Sequence, residues 1–167
     1  NLLEIFLHDL LLSNKFIKKS LYEIEKILFL KKNDKIINKK NIFITGLPRS
    51  GTTALLYFLY NTNQFTSLTY ENMPFIMAPN LFSKIKKKKI FDKKERLHKD
   101  GIFYDVKSPE ALDEVFFSTY EENDLYEELK NYLDLILLNK EKKRYLSKNN
   151  LNYKRIHIIN KIFPLSR

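Results

Sequence analysis

The chain has 167 residues and 20.1 kDa, 44% of them hydrophobic and 30% charged, which suits one folded domain with a core and excludes a disordered tail. It has no cysteine, which excludes a disulfide scaffold and thiolate chemistry, and its three histidines lie far apart, which argues against a multi-histidine zinc site. The net charge is +10, but only five of the 30 basic residues are arginines; lysine, asparagine and isoleucine share AT-rich codons, so the charge reads as compositional and a nucleic-acid partner is not expected.

Residues 1–30 read as helices, with Leu3, Phe6, Leu7, Leu10 and Leu11 at helical spacing. Ser20 and Glu23 have the spacing of a capping box ahead of Ile24, Ile27 and Leu28. Residues 31–40 are polar and read as a loop. Ile42-Phe43-Ile44-Thr45 then forms a short apolar run closing on Gly46, which predicts a buried strand of a parallel sheet. Residues 52–60, with Leu55, Leu56 and Leu59, predict a helix packed on that sheet. Residues 65–70 are the expected second strand. Ser108-Pro109-Glu110 reads as a helix start, with a capping serine, proline in first position and an acid in the first turn. Leu125, Leu129, Tyr132 and Ile136 mark a long helix, Tyr145-Leu146-Ser147 a short strand, and Tyr153, Ile156, Ile159 and Phe163 a last helix ending near Pro164. This alternation argues for an α/β layer fold.

Two of the three glycines fall in one loop, Gly46-Leu47-Pro48-Arg49-Ser50-Gly51-Thr52-Thr53, between a predicted strand and a predicted helix. Glycines let the backbone turn tightly and bring its N–H groups near an anion, and the helix start adds partial positive charge there. The glycine spacing matches G-x-x-x-x-G-K-[ST], but Thr52 stands where that pattern needs lysine, and the cation is Arg49 instead. The loop is built to hold a phosphate. A plain glycine turn without a ligand is the bland alternative.

Thr45-Gly46-Leu47-Pro48-Arg49-Ser50-Gly51-Thr52-Thr53 resembles the 5′-phosphosulfate loop of sulfotransferases, which use 3′-phosphoadenosine 5′-phosphosulfate (PAPS) as donor. The form P-R-S-G-T-T is similar to tyrosylprotein sulfotransferases and to bacterial members of the family. Leu146-Ser147-Lys148-Asn149-Asn150, followed by a helix and Ile162-Phe163-Pro164, is similar to a second stretch of the tyrosylprotein enzymes. Gly101 to Phe117, with Ser108-Pro109-Glu110-Ala111-Leu112-Asp113-Glu114-Val115-Phe116, resembles bacterial members. The resemblance spans Asn41 to Arg167.

What the resemblance implies is an α/β fold, a P-loop-type three-layer parallel sheet flanked by helices. Residues 1–40 would be an N-terminal helical segment and residues 41–167 the N-terminal part of a sulfotransferase domain. The family's 3′-phosphate site, an arginine and a serine after the F-P turn, would lie beyond Arg167. The chain therefore reads as a fragment truncated at its C-terminus, and its first residue, Asn1, points the same way. Gly46, Leu47, Pro48, Arg49, Ser50, Gly51, Thr52 and Thr53 would bind the donor, with Arg49 at the sulfuryl group. Lys148 would bring a second cation, and no metal is implied. Glu71 falls near the family's catalytic glutamate with a one-residue gap; without the gap, Tyr70 takes that position.

The remaining readings come from the residues alone. His98, near Asp100 and Gly101, is the fallback base. Lys107 with Ser108 could touch an anion, although capping by Ser108 explains it better. The run Lys84 to Lys89 would attract an acidic acceptor or simply be solvated. The acceptor itself, whether saccharide, tyrosine, lipid or small alcohol, is open. No targeting or transmembrane segment is visible, so the expected location is cytoplasmic. Rival readings are a P-loop kinase or NTPase, which would bind ATP with Mg²⁺, and a non-catalytic phosphate-binding interaction module.

Overall fold

The computed structural model describes residues 2–30, 40–83, 93–95, 101, 103–138, 140–142 and 144–167. Its first two helices are α1 (Leu2–Ser13) and α2 (Lys15–Phe29), separated by Asn14. The Asn14 side chain accepts hydrogen bonds from the Phe16 and Ile17 N–H groups and so starts α2. The helix thus begins well ahead of Ser20. Ser20 and Glu23 lie in its interior and form no capping box.

The inward stripe of α2 also differs from the apolar one expected. Lys18, Tyr22 and Glu25 are buried, whereas Ile27 is 80% exposed. The reason is specific pairing. The Tyr22 hydroxyl donates to the Glu128 carbonyl at 3.0 Å. The Glu25 carboxylate accepts from the backbone and side-chain N–H of Asn80 and from the Leu81 N–H, at the start of α4 (Pro79–Ser83). Polar groups tolerate burial when so satisfied.

Strand β1 (Ile42–Ile44) runs through the Gly46–Thr53 loop into α3 (Thr52–Asn61). It pairs in parallel with a strand from the far end of the chain, Leu146–Lys148, in the register Ile42↔Leu146, Phe43↔Ser147 and Ile44↔Lys148. On the outer side of β1 the Phe43 N–H donates to the Arg167 carbonyl and the Arg167 N–H to that of Asn41.

The strand expected over residues 65–70 is reduced to two bridges, Thr66 with Tyr145 in parallel and Thr69 with Pro109 in antiparallel sense. The segment divides its hydrogen bonds between two partners. Thr66 exchanges bonds with Arg144 and Leu146, and then residues 68–71 turn to meet residues 106–110. A single 3₁₀ turn, Tyr70–Asn72, follows.

Ser108 starts no helix. Its Oγ accepts from the Asp105 N–H and donates to the Asp105 carboxylate, and Pro109 sits in the bridge to Thr69. Strands β2 (Lys94–Glu95) and β3 (Phe103–Tyr104) form a small antiparallel pair. Helix α5 spans only Glu114–Phe117, and α6 is the long helix, Glu122–Leu137. Strand β4 is Leu146–Lys148, and a 3₁₀ turn at Asn152–Arg155 leads into α7 (Ile156–Ile162), which stops ahead of Pro164 as expected.

Alternation along the strands sends successive side chains to opposite faces. Ile44 and Leu146 pack with Leu56 of α3 and with Phe65. Phe43 and Tyr145 join the larger core, where α6 contributes Leu125, Leu129, Tyr132 and Ile136. There the Tyr132 and Phe116 rings stack at 4.2 Å, and Tyr22 of α2 meets both edge-on. The chain is a mixed α/β fold around a small parallel sheet. Among the described residues, no helix is long and apolar enough to cross a membrane.

Candidate active site

Open α/β sheets bind ligands beyond the carboxyl ends of their strands. Here both β1 and β4 end on that side, and the register sets Lys148 beside Ile44, just before the glycine loop. The loop and Lys148, distant in sequence, therefore meet at one edge.

The loop itself is shaped by three backbone features. The Ser50 N–H donates to the Leu47 carbonyl at 3.2 Å, closing a turn around Pro48 and Arg49. Arg49 (φ 67°) and Gly51 (φ 80°) are left-handed, a conformation that costs a non-glycine residue about 1–2 kcal/mol. Such alternation turns successive N–H groups toward one side, the geometry of an anion nest. Gly46 contributes differently: a Cβ on it would stand 2.8 Å from both Ser50 Oγ and Thr52 Cγ2, so those two side chains would have to shift to admit one.

Gly51 caps α3 without any side-chain hydrogen bond, and the Leu55 N–H bonds back to its carbonyl. The first-turn N–H groups of α3 have no acceptor within the helix, and the helix dipole points its positive end at the loop. Leu47, Pro48, Arg49 and Ser50 are exposed.

The turn after β4 is tied directly to the base of this loop. The Thr45 hydroxyl donates to the Asn150 carbonyl and accepts from the Tyr153 N–H. The Ile44 carbonyl accepts from the Asn149 N–H and from the Asn152 side chain. Lys148 itself is 12% exposed and lies 3.9 Å from the Glu110 carboxylate.

Beneath this turn lies a buried polar cluster that sequence reasoning missed. The Asp113 carboxylate accepts from the hydroxyl of Ser147 and, more distantly, from Tyr145 and Asn149. Asn149 also donates to Glu114, which Arg155 grips with two hydrogen bonds of 2.9 Å while its guanidinium lies over the Phe117 ring. Burial pushes the Asp113 carboxyl up to about 6; the hydrogen bonds from Ser147 and Asn149 and the charge of Arg155 oppose that rise, and Glu114 adds to it. Asp113 and Glu114 stand in the segment similar to bacterial sulfotransferases. That was the only signal, since the cluster draws on three separate segments.

Glu71 is exposed on the rim of a cleft of about 650 Å³ that also involves Lys107, Phe75 and Phe82. Its N–H donates to the Val106 carbonyl at 2.7 Å. The cleft is not lined by the glycine loop or by Lys148. Tyr70, the ungapped candidate, donates instead from its hydroxyl to Glu110. His98 and the run Lys84 to Lys89 lie outside the described residues.

A strand that runs through a left-handed glycine turn into a helix, with Lys148 on the neighbouring parallel strand, defines a protein of the α/β class. The matching family is the sulfotransferase family, whose model covers residues 41–167, and the chain belongs to it. No curated protein and no solved structure matches the chain.

Proposed function

We propose that the protein transfers a sulfuryl group from PAPS to a hydroxyl or amine acceptor, on a P-loop-type three-layer core. The observation that carries this reading is the convergence of the Gly46–Thr53 loop and Lys148 at one end of β1 and β4. The residues fit the 5′ end of the donor. The uncapped start of α3 supplies amides for the 5′-phosphate, and the missing Cβ of Gly46 lets the Ser50 and Thr52 side chains pack close over the base of the loop.

The donor supplies the sulfuryl group and a leaving phosphate. The amides and hydroxyls of Ser50, Gly51, Thr52 and Thr53 hold that phosphate in line, while Arg49 and Lys148 balance the charge that gathers on it. Preset cations of this kind need no metal. Glu71 would accept the proton of an acceptor hydroxyl presented from the adjoining cleft. A nucleoside triphosphate suits the site less well, because Thr52 stands where the Walker lysine belongs.

The test uses labelled PAPS with a panel of saccharide, tyrosine-peptide, lipid and alcohol acceptors. Arg49→Ala should abolish label transfer while the circular dichroism spectrum is unchanged; a variant of normal activity ends the assignment. Glu71→Gln should lower turnover by about 10²-fold, and an unchanged rate removes Glu71 from the chemistry. Binding of ATP with Mg²⁺ in place of PAPS would favour the kinase reading.

A further inference from the structure

We infer that Glu110 is a positioning residue for Lys148, an inference that rests on the sulfuryl-transfer reading above. Lysine is a point charge on a flexible stem of four carbons, so on its own it aims poorly. Lys148 is 12% exposed and Glu110 15%, and at that depth an ammonium needs a fixed counter-charge. Glu110 is fixed. Its Oε1 accepts from the Ala111 N–H at 2.9 Å, and its Oε2 accepts from the Tyr70 hydroxyl at 3.2 Å. Its own N–H donates to the Leu68 carbonyl, and its neighbour Pro109 is bridged to Thr69.

The separation matters as much as the pairing. At 3.9 Å the Lys148–Glu110 contact is coulombic rather than a hydrogen bond. The carboxylate therefore orients the ammonium and leaves its three N–H donors for a phosphosulfate oxygen. With both carboxylate oxygens already accepting hydrogen bonds, Glu110 acts through Lys148 and not on the acceptor. The Tyr70 hydroxyl takes part as the anchor of Oε2, which gives the residue ahead of Glu71 a role of its own.

A double-mutant cycle tests this. Glu110→Gln, Lys148→Ala and the double variant are compared with the wild type in kcat, KM for PAPS and melting temperature. Glu110→Gln should lower kcat about tenfold with little change in KM, and the same substitution should have almost no effect once Lys148 is gone. Glu110→Asp should recover part of the loss. Equal effects of Glu110→Gln in both backgrounds would overturn the inference and leave sulfuryl transfer standing. A wild-type protein that transfers nothing to any acceptor would overturn both. If Glu110→Gln fails to fold, Tyr70→Phe replaces it: a fall in kcat of about threefold that vanishes without Lys148 supports the inference, and an additive one rejects it.

Discussion

At the end of β1 the chain passes through Gly46–Thr53, where Leu47, Pro48, Arg49 and Ser50 are exposed and the backbone is left-handed at Arg49 and Gly51. At the end of the adjacent β4 it passes into Asn149–Asn152, where Ser147 of β4 and Asn149 are buried against the side chains of Asp113 and Glu114, and buried Asn152 donates to the Ser147 hydroxyl. The first turn draws its shape from its own residues. The second borrows its shape from residues far along the chain. A nest of amides is local chemistry, because φ angles and one missing Cβ suffice to make it. Holding a lysine at a set position needs a buried scaffold, because its stem has no preferred direction.

The largest effect expected from this contrast falls on the scaffold. Burial pushes the Asp113 carboxyl from its usual 3.8 up to about 6. Between those values the folded state binds the proton more tightly than the unfolded state, so stability falls as pH rises through that window. Asp113→Asn has no proton to lose there. Urea unfolding at pH 4 and pH 7 should show the variant gaining about 2 kcal/mol on the wild type between the two. A difference that stays flat would mean that the cluster is not governed by burial, and the contrast with the exposed loop would fail.

A smaller effect belongs to the loop. Gly46→Ala puts a methyl group against Ser50 Oγ and Thr52 Cγ2, so both side chains at the entry to α3 must shift. Calorimetry with adenosine 3′,5′-bisphosphate should show about tenfold weaker binding, the worth of one hydrogen bond to a charged group, with the melting temperature shifted by no more than a few degrees. Unchanged binding with a large loss of stability would place the loop among the structural elements and reverse the comparison.

How far the sequence reveals these two regions follows from the same difference. The β1–loop–α3 unit is contiguous, so one apolar run and two glycines outline it. Lys148 is found only through the resemblance of its stretch to a known family. Asp113, Ser147, Asn149 and Arg155 are ordinary residues in sequence, and their meeting depends on the parallel pairing of β1 with β4, which no local pattern encodes. Helix α2 fails for a related reason. Periodicity tracks apolar area, but its burial is set by the pairing of Tyr22 with Glu128 and of Glu25 with Asn80 and Leu81. Ser108 misleads in the opposite direction, since its hydroxyl serves Asp105 rather than a helix.

The register Ile44↔Lys148 also says which kinds of genetic change the site can absorb. Side chains alternate between sheet faces with a period of two, so losing or gaining one residue within β4 would turn Lys148 to the opposite face and bring a neighbour beside Ile44. Substitutions along either strand alter packing by degrees, whereas a single-codon insertion resets the alignment of both turns at once. Length, more than composition, is what these two short strands must keep, and it falls to the connections between them to vary.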